Sequence, residues 1–148
     1  MAGGTANGQM DVGAAEVGLT ALLEACERAV EEIGPAVPAA QLRALLIVER
    51  AGSLNLNQLA RALGSSASAT SRLIDRMEAA GLLNRDRAAA SRREIILLPT
   101  ESGRRLAEWI TRRRRDALSQ VLDTMTQAGR EALARGLGEL AGSGSDQA

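Results

Sequence analysis

One run, residues 53–105, narrows the folds open to this chain more than any other feature, because two short helical patterns and a hairpin pattern follow one another almost without spacers. The first pattern is Asn55-Leu56-Asn57-Gln58-Leu59-Ala60-Arg61-Ala62-Leu63, and Gly64-Ser65 supplies a tight turn behind it. Asn55 followed three residues later by Gln58 has the spacing of a capping box, which starts the helix there. The second pattern spans 66–80. Thr70, Leu73, Met77 and Ala80 recur at three- and four-residue steps and predict its buried stripe. Gly81 ends it, as a left-handed residue behind a helix commonly does. Residues 82–87 and 94–98 then read as two strands, and the loop region between them offers Arg87, Arg92 and Arg93.

A helix, a turn, a second helix and an Arg-tipped hairpin in that order make a helix-turn-helix with a wing, a device that reads duplex DNA. The exposed side of the second helix opens with Ser66, Ala67, Ser68, Ser71 and Arg72. A helix entering a major groove needs little bulk at its start, with hydroxyls and a guanidinium to meet base edges and phosphates. The same serines would also cap an ordinary surface helix. The Arg-tipped hairpin immediately after them decides for the DNA reading, since a wing can lay such side chains into the negative potential of a minor groove.

The net charge of zero conceals a segregation. Residues 1–60 carry three Arg against seven acids, residues 61–115 thirteen Arg against six, and residues 116–148 two Arg against five. The positive field therefore belongs to the helix-turn-helix and wing, the footprint expected of a phosphate-binding module. Every basic residue is Arg.

Several function classes are excluded by composition. There is no Phe or Tyr, and Trp109 is the one aromatic residue, so single-stranded nucleic acid would find no rings to stack on. With no His and only Cys26, neither a His metal site, a thiolate zinc cluster nor an intrachain disulfide can form, and no metal or cofactor is implied. No nucleophile elbow or phosphate-cradling Gly loop is present, and Glu31-Glu32, adjacent on a helix, do not converge on one point. No catalytic residue is assigned. No secretory signal is evident, and no apolar run approaches the ~20 residues a membrane span needs, so the reading is a cytoplasmic chain without a membrane partner.

Around the central run, residues 14–33 read as a helix carrying Val17, Leu22, Ala25, Ala29 and Ile33, stopped by Gly34-Pro35. Pro38 opens another helix, with Leu42, Leu45, Leu46 and Glu49, which closes at Ala51-Gly52. Pro99-Thr100-Glu101 breaks the wing and starts a long helix reaching Met125 or Thr126, and a last helix spans 129–140. The fold class is mainly α with a small β-hairpin wing. One domain is expected over 14–141, its winged core at about 39–99, with a disordered tail at 1–13 and a flexible one at 142–148.

Over roughly residues 39–126 the chain resembles the MarR family of bacterial winged-helix regulators. The likeness rests on Gln41-Leu42, on Leu59-Ala60-x-x-Leu63-Gly64 and on Ser66-x-Ser68-x-x-Ser71-Arg72-Leu73-Ile74-Asp75-Arg76-Met77-Glu78-Ala79-x-Gly81-Leu82-Leu83-x-Arg85. Arg92-Arg93, Thr100-x-x-Gly103 and the long helix complete it. The resemblance implies a homodimer joined through dimerisation helices at about 14–33 and 100–141, with two recognition helices in successive major grooves. Two-fold placement implies a pseudo-palindromic operator with half-sites ~10 bp apart, centre to centre. It implies a transcriptional regulator, commonly a repressor, often relieved by a small-molecule effector or by oxidation. By that likeness Ser66, Ser68, Ala69 and Arg72 approach bases or phosphates, Arg93 is the wing arginine, and Arg76 and Arg85 brace the wing or touch the DNA backbone. Ser71, Arg87 and Arg92 belong to the same DNA-facing set.

The chain departs from the family pattern at three places. Ser91 stands where the wing usually carries an Asp two residues before its arginine, so a bracing ion pair is lost; Pro99 replaces a Leu, and Ala67 a frequent Pro. Trp109 and Arg113 are candidates for lining an effector pocket. Cys26 is the candidate redox residue, although Glu24, Glu27 and Arg28 around it are acidic on balance and a small packed residue explains it better. A different class of function, a winged-helix module whose Arg cluster binds an acidic protein partner, is the alternative.

Overall fold

The computed structural model describes residues 11–31, 37–88 and 91–144, with the backbone alone at 88, 91–94 and 143–144. The readings of Ile33 and Gly34-Pro35 as a helix end, of Ala89-Ala90 in the wing loop, and of the Arg92 and Arg93 side chains lie outside the described residues, as does most of each terminal tail.

Among the described residues six helices and three strands follow in the order α1 Val12–Glu31, α2 Ala39–Ala51, β1 Leu54–Asn55, α3 Leu56–Leu63, α4 Ala67–Ala79, β2 Leu83–Ala88, β3 Ser91–Pro99, α5 Glu101–Leu122 and α6 Gln127–Gly144. The strands form one antiparallel sheet in the order β1-β3-β2. Two compact units result, residues 30–113 and residues 1–29 with 114–148.

The first unit is the winged helix-turn-helix. Its core joins Ala44, Leu45 and Val48 of α2, Leu59 of α3, and Leu73, Ile74 and Met77 of α4. Leu82, Leu83, Leu97 and Ala107 close it from the sheet side and α5. Local chemistry places each helix end. At α3 the Asn55 side chain accepts from the Gln58 amide at 2.9 Å, and the Gln58 side chain accepts from the Asn55 amide at 2.8 Å, a complete capping box. Gly64 takes the left-handed φ of 64° that the turn into α4 requires.

Thr100 fastens the long helix to the exit of α4. Its hydroxyl donates to the Gly81 carbonyl at 2.6 Å and accepts from the Gly103 amide at 2.9 Å, while its own amide donates to the Leu82 carbonyl at 3.0 Å. Gly103 is buried against that strand entry, where a Cβ would run into the Leu82 carbonyl oxygen.

Some details differ from the sequence-based expectation. The buried stripe of α4 is Thr70, Leu73, Ile74 and Met77, while Ala80 is exposed beyond the last turn. β1 was not anticipated, because two residues acquire strand character only by pairing with β3, Leu54 with Leu97 and Asn55 with Ile96. In the second unit α1 starts two residues early, where the Asp11 carboxylate accepts from the amides of Gly13 at 3.0 Å and Ala14 at 3.3 Å. α5 stops at Leu122, where the amides of Thr124 and Met125 turn back on the carbonyls of Val121 and Leu122. Arg130 then ties the turn, donating to the Leu122 and Met125 carbonyls at 3.3 and 2.9 Å. α6 runs to Gly144, so residues 142–144, expected to belong to a loose tail, are helical. α1 buries only Ala25 and Ala29 and leaves Val12, Val17, Leu19 and Leu23 exposed; α6 leaves Leu137 and Leu140 exposed. No described helix is long and apolar enough to cross a membrane.

Candidate nucleic-acid interface

The solvent face of α4 is built by its periodicity. With Thr70, Leu73, Ile74 and Met77 committed to the core, Ser68, Arg72 and Arg76 line up one turn apart on the open side, all exposed. Ser66 is the N-cap, and its hydroxyl accepts from the Ala69 amide at 3.2 Å and lies 3.3 Å from the Ser68 hydroxyl. That hydroxyl is therefore largely spent on the helix start, whereas Ser68 stands free of the backbone. Ala69 and Ser71 are half-buried at the flank of the helix. Among the described residues neither Arg72 nor Arg76 has an acidic partner, so both guanidiniums keep their full donor sets.

The wing register sorts its arginines. Leu83 faces Pro99, Arg85 faces Leu97 and Arg87 faces Ile95, so these pairs share one side of the sheet. Near the core that side buries Leu83, Leu97 and Pro99; further out it carries Arg87 and Ile95, both exposed. Arg87 has no ion-pair partner among the described residues. Its amide donates to its neighbour's Asp86 carboxylate at 2.7 Å.

Arg85 is placed differently from the other predicted contacts. Its Nη2 reaches the Asp75 carboxylate at 2.6 Å, its Nη1 bonds the Glu78 carboxylate, and its backbone amide donates to Glu78 Oε1 at 3.1 Å. Arg85 is thus tied to α4 by both side chain and backbone. Sequence reasoning gave Asp75 and Glu78 no role. The signal available was their three-residue spacing, which puts both carboxylates on one side of α4 toward the strand that follows.

The remaining candidates sit elsewhere. In α5 the Arg113 guanidinium lies over the Trp109 ring, 5.3 Å from its centroid, a cation–π contact between residues one turn apart. Cys26 is half-buried in the middle of α1 and forms no disulfide.

Comparison with known proteins agrees with this architecture. The sequence model of the MarR family matches residues 37–95. RV1404 from Mycobacterium tuberculosis is 30% identical, with a TM-score of 0.81 over 96% of this chain and 99% of that one. The chain belongs to the MarR family. A MarR-family protein from Bacillus stearothermophilus shares the fold, with a TM-score of 0.75 and 24% identity over 90% of this chain and 95% of that one. The HTH-type transcriptional regulator YfiV of Bacillus subtilis is 25% identical over 97 residues, 66% of this chain and 61% of that protein. The match therefore spans less than two thirds of YfiV. The matched MarR segment contains α2, α3, α4, β2 and the start of β3, the elements that carry Ser68, Arg72, Arg76 and Arg87.

Proposed function

We propose that this MarR-family chain is a cytoplasmic transcriptional regulator that binds double-stranded DNA as a homodimer. One observation carries the reading: Arg72, Arg76 and Arg87 are exposed and have no acidic partner among the described residues, beside a helix start made of small and hydroxyl side chains. Charges left unpaired in this way are available to phosphates and base edges. In this reading α4 enters the major groove. Ser68 and Arg72 meet base edges, Arg72 being suited to the two acceptors of a guanine, while Arg76 and the wing residues Arg87, Arg92 and Arg93 serve the phosphates and the minor groove. The relative YfiV is described as an HTH-type transcriptional regulator, which supports the same direction.

The exposed apolar residues of α1 and α6, which a second copy would cover, support the homodimer. Two copies then address a pseudo-palindromic operator with half-sites ~10 bp apart, and occupancy of a promoter represses it. A small ligand that relieves repression would meet the Trp109 ring and the Arg113 cation, a pair suited to a flat anionic molecule. Cys26 has a packing role in this reading.

A gel mobility shift on DNA selected from genomic fragments, repeated over a series of salt concentrations, tests the proposal. Arg72→Ala should cost about 1–3 kcal/mol on the preferred site and relax base choice at one position of each half-site. Arg87→Ala should weaken all sequences alike and reduce the salt slope by about one unit. Failure of the wild-type protein to shift any fragment in dilute salt would remove the reading.

A further inference from the structure

We infer that Ile95 is a DNA-contacting residue of the wing, an apolar side chain that packs on the deoxyribose edges of the duplex beside the cation of Arg87. The inference rests on the DNA-binding reading and deepens it, adding a contact to sugar where the wing arginines address phosphates and the groove.

A single exposed isoleucine is ordinary on a protein surface, and strands favour its shape. Its setting singles this one out. Seven large apolar side chains are exposed among the described residues, six of them on α1 and α6; Ile95, 55% exposed, is the one within the winged helix-turn-helix. The register fixes where it stands. β2 and β3 pair without a break from Leu83–Pro99 outward to Arg87–Ile95, and the register shifts immediately beyond, where Ala88 pairs with Ser91. Arg87 and Ile95 are therefore the outermost opposed residues that the regular ladder holds in place.

The two sides of the wing differ in charge and in outlook. Leu83, Arg85 and Arg87 lie on one side with Leu97 and Ile95, and Asn84 and Asp86 lie on the other with Leu98 and Ile96. The first side looks toward α4: Leu83 and Leu97 join the core with Leu73, Ile74 and Met77, and Arg85 reaches Asp75 and Glu78. Further out it carries Arg87, which has no acidic partner among the described residues, and Ile95 opposite it. The second side carries the Asp86 carboxylate, which phosphates would repel.

Helix and wing address neighbouring grooves, so the backbone ridge between those grooves faces the gap between α4 and the wing. Along that ridge phosphates alternate with deoxyriboses, whose C–H edges wall the minor groove. Arg87 suits the first chemistry and Ile95 the second. Covering Ile95 removes apolar surface from water without displacing a counterion, and its branched side chain has little rotamer freedom to lose. The alternative cover is a second copy of the chain. The unpaired cation opposite Ile95 favours a polyanion instead, and two such wings face to face would bring like charges together.

The mobility shift over a salt series, joined by hydroxyl-radical cleavage of the bound operator, tests this. Ile95→Ala should bind about fivefold more weakly with an unchanged salt slope, and Ile95→Val should recover most of that loss. Deoxyriboses beside the wing should become open to cleavage in Ile95→Ala, while those beside α4 stay protected. Ile95→Lys sets a cation at the same point and should steepen the slope by about one unit. All three variants should keep a nearly unchanged Tm, because the position is exposed. Wild-type affinity in Ile95→Ala, or an unchanged slope in Ile95→Lys, would overturn the inference and leave the DNA-binding reading intact. A variant that sediments as a smaller species than the wild type would assign Ile95 to a contact between copies and overturn it as well. Wild-type protein that shifts no fragment defeats both.

Discussion

Gly103 shows how one missing methyl group sets a distance in this protein. It lies in the first turn of α5 against the chain leaving α4, where a Cβ would strike the Leu82 carbonyl oxygen and come within 3.2 Å of Leu45 Cδ1. Leu82 cannot easily withdraw, because Thr100 binds both the Gly81 and Leu82 carbonyls. Gly103→Ala should therefore destabilise the fold by about 2–3 kcal/mol through overpacking, against the small gain alanine normally brings to a helix. Urea denaturation followed by far-ultraviolet circular dichroism measures this; a loss under about 0.5 kcal/mol would mean that Leu82 moves aside. Side chains of one type also divide their labour by position. Arg72 and Arg85 carry the same guanidinium, but Arg72 leaves the open face of α4, whereas Arg85 leaves the side of β2 that meets Asp75 and Glu78. The sequence left Arg85 between bracing the wing and touching the DNA backbone, since which carboxylate lies near an arginine depends on how the strand folds back over the helix.

Among the elements, α3 depends most on its ends. Eight residues cannot hold a helix alone, and its two reciprocal Asn55–Gln58 bonds satisfy amides that would otherwise lack partners. Asn55→Ala should cost about 1 kcal/mol, seen as a lower urea midpoint with an unchanged m value. A changed m value would instead point to an altered unfolded state or a lost two-state transition. This cap was legible because its partners are three residues apart, and the glycine turn and the α4 stripe were legible for similar local reasons. Ile74 was missed beside Leu73, because a stripe read at strict three- and four-residue steps passed on to Ala80, beyond the helix. β1 and the Asp75–Arg85–Glu78 network were missed because both depend on partners brought together by the chain's return, up to 43 residues away for Leu54 and Leu97. The start of α1 was set by Asp11, which the surrounding glycine-rich stretch concealed.

For the molecule as a whole, three of the four large exposed apolar side chains of α1 are aligned rather than scattered, with Val17 standing apart from them. Val12, Leu19 and Leu23 stand at intervals of seven and four residues, so they fall along one side of the helix. Leu19→Asp with Leu23→Asp should yield monomer at micromolar concentration where the wild-type chain sediments as a dimer. Operator affinity should then fall by about 10²–10³, since two half-sites no longer act through one linked pair. Sedimentation velocity and the mobility shift check these together, and a variant that stays dimeric would move the seam away from α1. One further property follows from Trp109. As the chain's single indole, half-buried in α5 with a guanidinium above it, it is the sole source of the protein's tryptophan emission. No second ring transfers energy to it or masks it, so a shift in its spectrum on adding a candidate effector or DNA reports one known turn of one helix, without any label attached.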